Sequence, residues 1–253
     1  MRRSDRVVMR CARCGLAHML PRAEVVGDSH QLEDLGHYNE MMKRLGPGLD
    51  YHSMKLLRLL RTHSPPPGRL LEVGCATGLF LTHAQGAGYS VMGLEPAVGH
   101  RQLIPKTIES AVLPQKLEEA DFSDNTFDVI VAIQLLEHLV EPAVFTEKLK
   151  RVLKPGGIAY VETPNFDCVS RRLQVRSWMD NNLNVGHWHL FNPRSMAVMC
   201  ERMGLRVVQG WTFFKALGIH SRSPLLGKSL ASLDYTLGRV GLGNNVAVLI
   251  TRN

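Results

Sequence analysis

The chain has no uninterrupted apolar run approaching the roughly 20 residues that a bilayer span requires, and no apolar segment follows its basic opening, Met1-Arg2-Arg3, as a secretory signal would demand. Neither a membrane span nor a signal peptide is expected. Cysteine is scarce and odd in number: of the five, Cys11, Cys14, Cys75, Cys168 and Cys200, only the first two lie close together. That excludes a secreted disulfide framework and fits a reducing cytoplasm. Basic residues exceed acidic ones by a formal charge of +7 but never run beyond a pair or so, so the concentrated stripe of a nucleic-acid footprint is missing. No internal repeat is visible. What is present, 45% hydrophobic and 21% charged residues over 253 positions, suits one soluble α/β-sized domain with a normal core.

Three zones follow one another. Residues 1–45 are polar and contain histidine and cysteine; residues 46–253 hold the main domain, regular to about Asn165 and less so beyond, with a covering insertion over about 164–192 and a poorly patterned stretch at 218–243. Asp50 is placed to cap a helix running to about Thr62, where Met54, Leu56, Leu57, Leu59 and Leu60 recur at helical spacing. Pro65-Pro66-Pro67-Gly68 stops it.

From there short apolar runs alternate with helical patterns: Leu70–Val73, a helix from Gly78, Ser90–Leu94, Phe127–Ile133, a helix over Pro142–Leu153, and Ile158–Val161. Such alternation predicts parallel strands joined by crossover helices. Pro142 suits a first helical position, and Lys154-Pro155-Gly156-Gly157 forms the turn that follows. The tail predicts a helix at Pro193–Met203, a strand at Leu205–Val208, and an added edge strand at Val246–Ile250.

The chemistry begins at Leu70-Leu71-Glu72-Val73-Gly74-Cys75-Ala76-Thr77-Gly78, a strand entering a glycine turn that opens a helix. Such a turn admits a ligand close to the backbone at the switch point of a doubly wound sheet. The next strand ends in Glu95, about 20 residues on, where an acid accepts hydrogen bonds from ribose hydroxyls. Together they suit an adenosine ligand. A nicotinamide cofactor stays open on these two elements, although Gly74-x-x-x-Gly78 lacks the three-glycine pattern of a pyrophosphate site.

With Glu72-Val73-Gly74-Cys75-Ala76-Thr77-Gly78, Gly93-Leu94-Glu95-Pro96, Phe127-Asp128-Val129-Ile130 through Leu136-Glu137-His138, and Leu153-Lys154-Pro155-Gly156-Gly157 in this order, the chain closely resembles the class I S-adenosylmethionine-dependent methyltransferases. The resemblance spans about Arg69–Asn165 and continues more loosely over His187–Val208. It implies a Rossmann-like α/β fold, a doubly wound, mostly parallel seven-stranded sheet with an antiparallel last strand. It also implies S-adenosylmethionine as cofactor. By it, the loop from Gly74 through Cys75 and Ala76 to Gly78 would hold the methionine part, with Glu72 orienting the amino group or the loop. Glu95, followed by Pro96, would take the ribose; Leu117 and Glu118 would flank the adenine; Gln134 would line the methionine side. Ala76 stands where many members have glycine, a mild departure.

Methyl transfer needs a nucleophile aligned with the methyl group and, where its pKa requires, a base. His138, His187 and His189 are the candidates, each with a structural alternative as a capping or core residue. Trp178, Phe213 and Phe214 are candidate wall residues with core packing as the alternative. The Glu137-His138 pair resembles that of quinone O-methyltransferases, where a preceding glutamate joins it around magnesium. Gln134 in that place is a neutral amide, so magnesium is not expected. Cys11-Ala12-Arg13-Cys14-Gly15 resembles one zinc knuckle, the second of the two that some bacterial methyltransferases carry; a closed site needs four ligands, from His18 and His30 or from a homodimer sharing one ion, so free thiols in a lid-like segment are the default reading and zinc the alternative.

The favoured reading is O-methylation of a small-molecule hydroxyl on a sugar, glycan or natural product. A nucleic-acid enzyme is disfavoured because Gln134-Leu135-Leu136-Glu137 replaces the Asn/Asp-Pro-Pro-aromatic segment of base-amine enzymes; a tRNA-directed form and a non-catalytic cofactor-binding protein remain the rivals.

Overall fold

The computed structural model describes residues 7–20, 35–174, 186–214 and 238–252. In chain order the elements are β1 (Val7–Arg10), β2 (Ala17–Leu20), α1 (Leu35–His63), β3 (Arg69–Val73), α2 (Leu79–Gly86), β4 (Ser90–Leu94), α3 (Val98–Arg101), β5 (Val112–Leu113), β6 (Phe127–Ile133), α4 (Pro142–Val152), β7 (Leu153–Pro164), α5 (Val169–Arg172), β8 (His189–Leu190), α6 (Pro193–Arg202), β9 (Arg206–Phe213) and β10 (Asn245–Thr251). Among the described residues no helix is long and apolar enough to cross a membrane.

Seven strands form one sheet in the order β5-β4-β3-β6-β7-β10-β9. β3 pairs in parallel with β4 and with β6, β4 with β5, and β6 with β7; β10 runs antiparallel to both β7 and β9. The chain therefore winds outward from β3 to β5 and then crosses to β6 on the other side of β3. That reversal leaves a crevice at the carboxyl ends of β3 and β6, the general ligand position of doubly wound sheets.

Side chains of alternate strand residues point to opposite faces, and the core divides accordingly. Leu71, Val73, Ile130, Ala132, Ala159 and Val161 pack on one face with Phe145 and Leu149 of α4 and Met196 and Cys200 of α6. Leu70, Val129, Val131, Ile158 and Tyr160 pack on the other with Leu56, Leu57 and Leu60 of α1 and Phe80, Leu81 and Ala84 of α2. Pro142 starts α4, and α6 opens on a capping box in which the Ser195 N–H donates to Asn192 Oδ1 at 2.8 Å. Gly156 adopts φ +74 in the Lys154–Gly157 turn. This turn lies inside β7, where Phe127 faces Leu153 and then Val129 faces Ile158.

Three expectations need correction. The helix capped at Asp50 begins instead at Leu35, so the boundary after Leu45 falls inside α1. The Gly46-Pro47-Gly48 run weakens local propensity, which favours a later start, but propensity yields to tertiary context; Asp50 lies within the helix and its carboxylate meets His83 Nε2 at 2.9 Å. The run at Val246–Ile250 is not an edge strand: all seven residues of β10 are buried, as a strand flanked on both sides must be. The edge is β9, which extends to Phe213 rather than Val208.

A second, small sheet pairs β1 with β2 and β2 with β8, both antiparallel. It sets the Cys11–Gly15 turn beside the segment that carries His187 and His189.

Candidate cofactor and acceptor site

The glycine turn after β3 depends on backbone that L-residues seldom adopt. Gly74 has φ +71 and Gly78 φ +73, and a Cβ on Gly78 would lie 2.5 Å from Ile108 Cδ1. The Gly74 and Cys75 N–H groups both donate to the Leu94 carbonyl, at 2.8 and 3.1 Å, locking the turn to the end of β4. Ala76 is also left-handed, at φ 47. Its methyl group makes the departure from glycine a strained one, not only a mild change of side chain.

Two buried carboxylates face this turn. Glu95 Oε2 accepts from the Ala76 N–H and Oε1 from the Ala97 N–H, each at 2.9 Å. A carboxylate oxygen has a second lone pair, so Glu95 still has capacity for ligand hydroxyls. Glu72 is 5% exposed and its Oε2 has no hydrogen-bond partner. Burial, with the charge of Glu95 adding to it, pushes the Glu72 carboxyl well above the ordinary carboxylate range. A ligand with a vicinal diol and an ammonium group matches these acceptors, and S-adenosylmethionine is such a molecule.

The other cofactor-side residues take varied places. Cys75 is buried and its thiol pushed far up, chiefly by burial, which leaves it inert. The Pro96 carbonyl accepts from Arg101, which also bonds the Glu95 carbonyl at 2.8 Å. Leu117 belongs to the core and Glu118 is half-buried in the adjoining turn. Gln134, directly after β6, has φ 53. Its amide group donates to Glu162 Oε1 at 3.0 Å and to Asn245 Oδ1 at 3.1 Å, so its donors are directed across the sheet rather than at the glycine turn.

Beyond Gln134 a 3-10 turn, Leu136–His138, carries Glu137 and His138. Glu137 is buried, accepting from Thr163 Oγ1 at 2.8 Å, and its carbonyl accepts from the Trp188 N–H at 2.8 Å. This ties the loop of β8 to the end of β6 and brings the His138 and His187 rings to 4.6 Å, edge to face. One ligating atom from each of Glu137, His138 and His187 lies within 4.8 Å of the others. Two imidazoles and a carboxylate could take a borderline ion such as zinc but do not fit the oxygen cage of magnesium, and the Gln134 amide nitrogen is engaged by Glu162 and Asn245.

His189 stands apart from this pair. It is buried in the small sheet, with Nδ1 2.9 Å from His18 Nδ1 and Nε2 3.3 Å from the Val140 carbonyl. His18 is thus engaged with His189 rather than with Cys11 and Cys14, and among the described residues no third ligating group joins those two thiols. Hydrogen bonding from the Cys14 and Arg13 backbone holds the exposed Cys11 thiol below its ordinary value. His30 and Trp178 lie outside the described residues; Phe214 is buried, and Phe213 stacks on His52.

Sequence reasoning missed one group altogether. Glu162, near the carboxyl end of β7, is fully buried and accepts from Gln134 Nε2, from Tyr160 Oη at 2.7 Å and from His52 Nε2 at 2.7 Å. The available signal was a lone acid in the apolar strand Ile158-Ala159-Tyr160-Val161-Glu162. His52 carried none, because its partner is 110 positions away.

Two consequences are measurable. Relieving the left-handed alanine by Ala76→Gly raises the unfolding free energy by about 1 kcal/mol, the lower end of the cost of this conformation, read from urea denaturation; no gain would contradict the strain. For Glu72, below about pH 4.3 both folded and unfolded chains hold the proton. Above that the unfolded chain ionises first, so stability falls as pH rises until the folded group ionises. Without ligand, melting temperatures from pH 5 to 8 therefore decline more steeply in the parent than in Glu72→Gln.

Comparison with known proteins bears on this geometry. A methyltransferase domain matches residues 49–210. The "Probable S-adenosylmethionine-dependent methyltransferase" of Mycolicibacterium smegmatis is 30% identical over 154 residues, 59% of this chain and 56% of that protein. The human mitochondrial ubiquinone biosynthesis O-methyltransferase is 30% identical over 174 residues, 60% of this chain and 46% of that protein. The chain thus spans about half the length of the relatives it matches. A solved S-adenosylmethionine-dependent methyltransferase from Archaeoglobus fulgidus, 16% identical, shares the fold with a TM-score of 0.63 over 85% of this chain and 99% of the other. With a matched domain covering more than half its length and the switch-point crevice in place, the chain belongs to the S-adenosylmethionine-dependent class I methyltransferase family.

Proposed function

We propose that this chain transfers a methyl group from S-adenosylmethionine to a hydroxyl of a small molecule, of phenol, sugar or natural-product type. The cofactor, when bound, supplies an electrophilic methyl group on a sulfonium. On this reading Glu95 accepts from both ribose hydroxyls, Glu72 meets the amino group, and the Gly74–Gly78 backbone passes along the methionine part. Leu117 and Glu118 border the adenine.

The observation that carries the hydroxyl reading is the set of proton-accepting side chains at the carboxyl ends of β6 and β7. His138 and His187 meet beside Glu137 after the end of β6, and His52 meets Glu162 near the end of β7. An alcohol or phenol must lose its proton as it is methylated, and such a set provides for that. The kinship to O-methyltransferases of ubiquinone biosynthesis supports it. His138 and His187 border the acceptor on this reading, and His189 holds the small sheet in place.

Calorimetric titration with S-adenosylmethionine and S-adenosylhomocysteine, followed by acceptor screening with catechols, sugars and S-adenosylmethionine, tests it. Binding that Glu95→Ala weakens by about 1.5–3 kcal/mol, the scale of hydrogen bonds to a charged group, and methylation at oxygen are expected. Binding of NAD in place of these ligands, or methylation confined to amines, would contradict it.

A further inference from the structure

We propose that His52, oriented by Glu162, is the base that takes the acceptor's proton, a role that none of the three histidines prominent in the sequence then fills. This rests on the hydroxyl-methylation reading above. A fully buried carboxylate such as Glu162 must be compensated by donors, and Gln134, Tyr160 and His52 are among those it has. They differ in what they can do with a proton. Gln134 is a neutral amide. Burial, and then the charge of Glu162, pushes the Tyr160 phenol well above its ordinary value, so it stays a donor. Of these three, His52 is the one with a second ring nitrogen whose lone pair can accept a proton.

The geometry selects one nitrogen of that ring. His52 Nε2 lies 2.7 Å from Glu162 Oε2, a charge-assisted distance. With the Nε2–H donated there, the Nδ1 lone pair is the acceptor. The ring also stacks on Phe213, 5.5 Å between centroids and 17° between planes, which restrains its rotation. The side chain stays 14% exposed, whereas that of Glu162 is 0% exposed, so the imidazole has access that its partner lacks. This base-plus-orienter arrangement is the one by which a histidine is held ready for proton transfer.

Its position fits the reaction. Gln134 directly follows β6, Glu162 lies near the end of β7 and Asn245 begins β10, so the network sits on the same sheet edge as the crevice, displaced from β3 and β4 toward β10. α1 places His52 there because Ser53, Leu56, Leu57 and Leu60, the residues that follow it, are buried. Among the described residues the titratable groups around His52 include Glu162 and Tyr160 of β7; β10 contributes the neutral amide Asn245, the residue after β6 the neutral amide Gln134, and β9 the Phe213 ring.

In the step itself, His52 Nδ1 takes the hydroxyl proton while an oxygen lone pair forms the new C–O bond to the methyl carbon. The S–C bond breaks with its electron pair returning to sulfur, leaving a neutral thioether. The imidazolium formed is balanced by the Glu162 carboxylate and then releases its proton to water. His52 touches the reacting hydroxyl and is the catalytic residue. Glu162 acts through it and is a positioning residue.

The test uses the full chain. With the acceptor found by the screen above, His52→Gln lowers kcat about 10²–10⁴-fold at pH 7, the usual range for a removed general base. Affinity for S-adenosylhomocysteine stays within about twofold of the parent value on this account, because the cofactor's ligands are elsewhere. The acid limb of the pH–rate profile disappears in His52→Gln. It moves to lower pH in Glu162→Gln, because losing the carboxylate destabilises the imidazolium, and returns toward the parent position in Glu162→Asp. Independently of turnover, nitrogen-15 NMR of the ligand-free parent at pH 8 shows His52 as the Nε2–H tautomer. A kcat within threefold of the parent with an unmoved acid limb, or an Nδ1–H tautomer, overturns the proposal. Failure to bind S-adenosylhomocysteine would instead overturn the reading on which it rests, and the NMR result would still decide the orientation of the pair.

Discussion

Everything at the candidate site depends on β3 being paired in parallel on both of its edges. Leu71 faces Met92 of β4 on one side and Ile130 of β6 on the other, so the connections leaving β3 and β6 must diverge. The crevice between them is a result of topology, present before any side chain is considered. Gly74 and Gly78 then let the backbone turn within it, and Leu94 at the end of β4 fixes the turn by accepting two N–H groups. Both core faces serve this arrangement by holding the three central strands in register.

A second theme is the number of buried acids at one edge of the sheet. Glu72, Glu95, Glu137 and Glu162 are all nearly inaccessible, and burial disfavours each charge unless donors answer it. Glu95 accepts from two backbone N–H groups, Glu137 from Thr163 among its partners, and Glu162 from partners that include Gln134, Tyr160 and His52. Glu72 is the least satisfied, and its raised pKa is the expected response. A cationic ligand at this edge would relieve the very cost that folding leaves there.

The parts of this arrangement that are local in sequence were legible in it. Phe127–Ile133 and Ser90–Leu94 are strands because each is a short apolar run between turn residues, and the glycine turn announces itself by spacing. Pairings across the chain were not legible. The hairpin of β1 and β2 joins β8 through Ala17 and Leu190, far apart in sequence, and the early start of α1 is set by context rather than propensity. Most telling is the contrast among histidines: His138 and His189 drew notice by lying in motifs, yet His189 is occupied with His18. His52, in an unremarkable helix, faces a buried carboxylate.

Hydrogen–deuterium exchange of the full chain with and without S-adenosylhomocysteine tests the central claim that the ligand lies across the carboxyl ends of β3, β4 and β6. The account predicts new protection concentrated at residues 74–78 and 95–98, with little change in β1 and β2. Saturating ligand that leaves the glycine turn unprotected, or protects the hairpin of β1 and β2 instead, would contradict it.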